Sequence, residues 1–170
     1  MSKLLIPLLG LGVIWYISTV RLKLSARDDL QLVKPAGLRL VGWIGIWLVW
    51  MMGTDWLMNW RGTWDFSPWA RQPLWLSIVR VLSVCLVGPL LEELVFRGLL
   101  FVKLGHWGLP KGLSIILLSA IWAVIHLDYE WSVISLLFLN GIILTLSLLQ
   151  SRSLYVPIVL HILWNLYAIW

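Results

Sequence analysis

The stretch Val81-Leu-Ser-Val-Cys85-Leu-Val-Gly88-Pro89-Leu-Leu-Glu92-Glu93-Leu-Val-Phe-Arg97-Gly-Leu-Leu-Phe101 decides the fold. It is long and apolar enough to cross a bilayer, yet it carries two adjacent carboxylates and a guanidinium. Hydrocarbon cannot solvate such groups, and insertion scales put each central charge at roughly +2.5–3.5 kcal/mol. The default reading of ionisable side chains at that depth is a functional site inside a helix bundle.

The rest of the chain agrees with a membrane setting. Of 170 residues, 61% are hydrophobic and 12% charged, against about 25% charged in ordinary globular domains. A soluble domain of this size could not cover so much apolar surface, so the expectation is an all-α, multi-pass membrane protein with the plasma membrane as the default location. The 14 tryptophans suit membrane–water interfaces. The net charge of +5 does not point to nucleic acid, because the basic residues sit in the loops between apolar runs, where anionic lipid and topology account for them. The single cysteine, Cys85, allows neither an internal disulfide nor a cysteine metal cluster. Met1 to Gly10 has the look of a signal peptide, but Lys3 alone precedes the apolar run while Arg21, Lys23 and Arg27 follow it. That flank pattern suits a retained span.

Apolar runs of spanning length predict six helices, at roughly 4–20, 38–58, 74–102, 112–127, 131–149 and 154–170. The fourth and sixth are short. Pro89 removes an amide donor and is expected to kink the third just before the glutamates. The odd-numbered loops hold Arg21, Lys23, Arg27, Lys34, Arg39, Lys103, Lys111 and Arg152; the even loops and the N-terminal end hold Lys3, Arg61, Arg71 and Arg80. The positive-inside rule then puts the odd loops in the cytoplasm and both termini outside. Two regions follow: an N-terminal pair of spans over 1–73 and a four-helix core over 74–170.

The polar residues within that core are Glu92, Glu93, Arg97, His126, Asn140, His161 and Asn165. Successive helical residues turn by about 100°, so the two glutamates face different directions. Glu93 and Arg97 are four apart and able to pair, as are His161 and Asn165 on their own helix. Measured from the basic odd-loop residues at ~1.5 Å per residue, Glu92 lies ~16 Å deep, His126 ~22 Å, His161 ~13 Å and Asn165 ~19 Å. Four side chains from three helices therefore share one slab, expected as a wet pocket beneath the inner leaflet. Singly, each has a plain structural reading. An intramembrane His or Asn commonly hydrogen-bonds a neighbouring helix. His106 reads as interfacial, Asp128 and Glu130 as a solvated loop. The joint spacing carries the signal.

The ordered set Glu92-Glu93-Leu-Val-Phe-Arg97 (E-E-x-x-x-R), Trp122-Ala-Val-Ile-His126 and His161-Ile-Leu-Trp-Asn165 resembles the CAAX protease and bacteriocin-processing family (CPBP, or Abi) of intramembrane glutamate proteases, over about residues 74–170. The second motif is usually F-x-x-x-H, and here Trp122 replaces the Phe, an aromatic one turn before His126 and able to pack on it. The resemblance implies an intramembrane endopeptidase acting on a membrane-associated or lipid-linked peptide. It implies that Glu92 and His126 activate a water and that His161 and Asn165 stabilise the oxyanion, with Glu93, Arg97 and Trp122 in support. That chemistry is physically coherent, because preorganised donors act most strongly where water is excluded. No cofactor is expected, and membrane lipids and a membrane-anchored substrate are the implied partners.

Three alternatives stand beside this. Glu92, His126 and His161 are potential ligands for zinc with an open fourth position, although the H-E-x-x-H pattern is absent. A non-catalytic immunity or assembly factor would keep the shape without the chemistry. A proton-coupled transporter also uses buried carboxylates. Gly112-Leu-Ser114 resembles a nucleophilic serine motif only loosely.

Overall fold

The computed structural model describes residues 2–63 and 65–170, with side chains from residue 4; Lys3, one of the flanking cations above, has its side chain outside that range. Among the described residues the regular elements are all helical. Six apolar helices form the bundle. They are α1 (Ser2–Tyr16, continued by a wide turn over Ile17–Arg21), α2 (Gly37–Met58), α3 (Leu74–His106), α4 (Lys111–Val124), α5 (Trp131–Ser151) and α6 (Tyr155–Ile169). Four helical stretches are long and apolar enough to cross a membrane: Leu4–Arg21, Gly37–Met58, Leu74–His106 and Trp131–Ser151. As expected, the fourth and sixth helices are the short ones.

Burial decides the layout. α5 is the central helix, with 56% of its apolar window buried, whereas α1 has 6%. A rim of large apolar side chains, among them Ile6, Val49, Leu57 and Ile116, faces outward, which is a lipid-facing surface and not a water-facing one. α4 packs on α5 most extensively. A Cβ at Gly141 would lie 2.8 Å from the Ser119 Cβ, so only glycine permits that approach. Small residues at a helix crossing are the usual device for close packing in lipid. α1 lies along α3, and α2 lies against α5 and α6. Trp60, in the loop after α2, stacks on Trp164 of α6 with ring centroids 4.3 Å apart. Asn140 acts as interhelical glue, its Oδ1 accepting from Trp50 Nε1 at 2.7 Å.

α3 sets the site. The interruption expected at Gly88-Pro89 takes the form of a wide turn within one continuous helix: Ser83–Val87 is π-helical, and Gly88 N–H reaches back to Ser83 O. A second π segment covers Leu94–Leu100. Pro89 has no N–H to offer the preceding turn, and the carbonyl of Val84 accepts instead from Asn165 Nδ2 at 2.8 Å. The missing backbone donor thus fixes a side chain of α6 beside α3.

α4 is 14 residues long, or ~21 Å, well short of a hydrocarbon core of about 30 Å. It stops early, and the largely exposed loop 125–130 follows at that end of the bundle. The first loop folds back over the opposite end, where Leu154 N–H donates to Gln31 O at 2.9 Å and Ser153 Oγ donates to Val33 O.

Candidate active site

Glu92, Trp122, His126, His161 and Asn165 line one cavity of about 390 Å³, within the range of small-molecule and substrate sites. The wide turns of α3 present Glu92 and Glu93 to different neighbours. Glu93 and Arg97 are buried (0% and 2% exposed), with Arg97 Nη1 donating to Glu93 Oε1 at 2.9 Å. The i, i+4 pairing expected from the sequence is therefore present. Arg97 also donates to Gly141 O at 3.2 Å and approaches Thr145 Oγ1 at 3.5 Å, both on α5. Buried charges need this density of partners to offset their lost hydration.

His161 Nδ1 lies 2.9 Å from the same Glu93 oxygen. A carboxylate only accepts, so Nδ1 carries the hydrogen and Nε2 is left for other partners. His126 Nδ1 lies 2.8 Å from the Trp122 carbonyl. By the same logic its Nδ1 is the donor, and its Nε2 is the basic nitrogen. Both tautomers are set by their acceptors.

Trp122 is the hub. Its Nε1 donates to Glu92 Oε2 at 2.6 Å. Its ring meets those of His126 and His161 edge-on at 5.4 and 5.3 Å, and the Arg97 guanidinium stands 4.8 Å from its centroid. The sequence suggested only packing against His126. The bond to Glu92 was legible in principle, since Trp differs from the usual Phe by a donor. Two further contacts had no motif to announce them. Glu93 engages His161, across 68 residues. Tyr129, in the loop after α4, stacks near-parallel on His126 at 5.9 Å. Desolvation, then the charges of Glu92 and Asp128, push the Tyr129 phenol above its ordinary value.

One expectation is corrected. The cavity was placed beneath the surface of the odd-numbered loops. Its lining instead runs from Glu92 to Phe66, Trp69, Tyr129, Ala168 and Ile169, so it opens at the end of the bundle that carries loops 59–73 and 125–130. Depth measured along helices cannot tell which end is open; the early stop of α4 decides it. A polar antechamber adjoins the mouth, sharing Phe66, Ala168 and Ile169. There Asp55 accepts from Arg61 Nε at 2.8 Å and Tyr167 OH at 3.0 Å.

The remaining candidates fall outside the site. His106, Asp128 and Glu130 are exposed. Ser114 donates to Pro110 O at 3.3 Å at the start of α4, as a helix-end serine does. Among the described residues no three His, Cys, Asp or Glu side chains are grouped as metal ligands.

The family model for type II CAAX prenyl endopeptidases, Rce1-like, matches residues 73–167. The chain is 35% identical over 92 residues to the membrane-embedded CAAX protease MroQ of Staphylococcus aureus (strain USA300), covering 50% of this chain and 36% of that relative. The chain thus aligns with little more than a third of the relative's length. No solved structure matches.

Proposed function

The chain belongs to the type II CAAX prenyl endopeptidase Rce1-like family, and on that footing we propose that it is an intramembrane endopeptidase of membrane-associated or lipid-linked peptides. The observation that carries the reading is the single cavity shared by Glu92, His126, His161 and Asn165, drawn from two helices and the loop that ends a third.

In this reading a water sits between the Glu92 carboxylate and His126 Nε2. Glu92 takes a proton from it as the oxygen attacks the scissile carbonyl carbon, while Nε2 accepts the second O–H. The carbonyl oxygen becomes an oxyanion facing Asn165, whose amide has a second hydrogen beyond the one on Val84 O. His161 completes the pair of donors. With Nδ1 committed to Glu93, Nε2 is the nitrogen left to face the oxyanion, which it stabilises when it carries a proton. The tetrahedral intermediate collapses as the proton held by Glu92 passes to the departing amine, and the C–N bond breaks. Arg97 keeps Glu93 in place from the far side. No step requires a metal.

The test is incubation of the purified chain with a library of membrane-anchored peptides, read by mass spectrometry. Cleavage products that appear with the native chain and vanish with Glu92→Gln support the reading. A Glu92→Gln variant that cleaves as well as the native chain refutes it.

A further inference from the structure

We propose that Arg27, Lys111 and Arg152 form a binding site for the phosphate group of an anionic lipid. The site lies where the first loop meets the α5–α6 turn, apart from the residues that line the cavity of Glu92. It does not depend on the peptidase reading.

Three segments far apart in sequence build it. Arg27 belongs to the first loop, Lys111 is the first residue of α4 and Arg152 follows the last residue of α5. With Asp28, Gln31 and Leu149 they line one recess of about 520 Å³, within the range of small-molecule sites. Contacts that do not use the cations hold these segments together. Leu154 N–H donates to Gln31 O at 2.9 Å and Ser153 Oγ donates to Val33 O, tying the first loop to the turn that carries Arg152. Arg152 N–H donates to Leu148 O at 2.8 Å. Leu24 and Leu30 are buried with Leu99, which seats the loop on α3. A backbone already in place lowers the ordering cost of binding.

The charges are left over. None of the three cations has an ion pair among the described residues. Asp28, the acid beside them, accepts from Ser25 Oγ at 3.1 Å within its own loop. Like charges gathered on one recess repel, and an anion bound among them turns repulsion into attraction. Guanidinium groups match phosphate oxygens with two parallel hydrogen bonds, and an ammonium adds a point charge. Basic pockets at helix ends are a known form of headgroup recognition.

The surroundings favour a lipid over free phosphate. A neighbouring recess of about 250 Å³ shares Lys111, Gln31 and Leu149 with the first and adds Phe101, Val102 and Leu109. Trp107, 71% exposed, stands in the α3–α4 connection four residues before Lys111, and exposed indole favours the headgroup level. Cations and apolar surface thus adjoin, as the phosphate and the acyl chains of a lipid do. Free phosphate would use only the cations.

The purified chain in non-ionic detergent at roughly 0.15 M salt, where remote surface charges are screened, is titrated with three ligands: a short-chain phosphatidylglycerol, phosphatidylcholine of the same chain length, and inorganic phosphate. The thermal unfolding midpoint is followed. We expect a saturable rise with phosphatidylglycerol and a much smaller one with phosphatidylcholine, whose choline cancels the phosphate charge. Arg27→Gln, Lys111→Gln and Arg152→Gln are each expected to weaken the apparent affinity for phosphatidylglycerol about fivefold, the effect of one cation near anionic lipid. A control chain with Arg21→Gln, Lys23→Gln and Lys34→Gln, all exposed, is expected to keep the native affinity within about twofold. A full rise with inorganic phosphate alone overturns the lipid assignment. No rise with phosphatidylglycerol, undiminished affinity in the three single variants, or an equal loss in the control chain overturns the site itself. No peptide is cleaved in this measurement, so its outcome is separate from that of the peptidase reading.

Discussion

Trp122 Nε1 donates to Glu92 Oε2 across 2.6 Å, so the side chain that departs from the usual F-x-x-x-H pattern is the one that holds the carboxylate proposed as base. A hydrogen bond to a charged group contributes about 1.5–3 kcal/mol. Trp122→Phe keeps an aromatic ring beside His126 and His161 and removes the donor. The expected result is a loss of about 10- to 100-fold in kcat with KM little changed, measured on a cleaved peptide. A KM effect alone would place Trp122 in binding instead.

Glu93 serves two partners, Arg97 and His161, at 2.9 Å each. Removing one member of a buried charge pair leaves the other uncompensated, at about 3–5 kcal/mol. Glu93→Ala is therefore expected to lower the midpoint of thermal unfolding in detergent sharply. Glu93→Ala combined with Arg97→Leu is expected to recover much of that stability without recovering activity, because His161 still lacks its acceptor.

Gly141 meets α4 where a Cβ would stand 2.8 Å from Ser119 Cβ. Gly141→Ala is expected to destabilise by about 1–3 kcal/mol, as overpacking does. Ser119→Gly in the same chain removes the opposing atom and is expected to restore most of the loss. Thermal unfolding of the two single variants and the double variant measures this coupling directly.

The Tyr129 phenol ionises above its ordinary range because burial, Glu92 and Asp128 all oppose the anion. A folded-state value raised above the unfolded one gives stability that is complete below the unfolded value and is lost as pH rises through the folded value. The ultraviolet titration of the native chain is therefore expected to contain a late tyrosinate step that Tyr129→Phe abolishes. The variant is also expected to lose less stability than the native chain at alkaline pH.

Much of the architecture was legible because lipid imposes simple rules. Helix length, apolar runs and the brevity of α4 and α6 could be read directly, and so could the Glu93–Arg97 pairing, which needs only the i, i+4 spacing. The candidate site was legible as an ordered set of polar residues where hydrocarbon tolerates few, and Glu92, His126, His161 and Asn165 do line one cavity. The hidden parts were long-range. The Glu93–His161 contact depends on how α3 and α6 pack. The Asn165–Val84 bond depends on a backbone carbonyl opened by the wide turn before Pro89, which residue identity alone does not display. The direction in which the cavity opens depends on where α4 stops relative to its neighbours, and distances counted along single helices are blind to that.

The most direct measurement is the cleavage rate of a membrane-anchored peptide by the native chain and by Glu92→Gln, each with and without a strong divalent-metal chelator. Glu92→Gln is nearly isosteric and keeps a group able to accept from Trp122. The account predicts that the native rate survives the chelator and that the variant falls at least 1,000-fold, on the order of 4 kcal/mol in the barrier, while remaining folded. A variant that retains the native rate, or a native rate abolished by the chelator and restored by zinc, would contradict it.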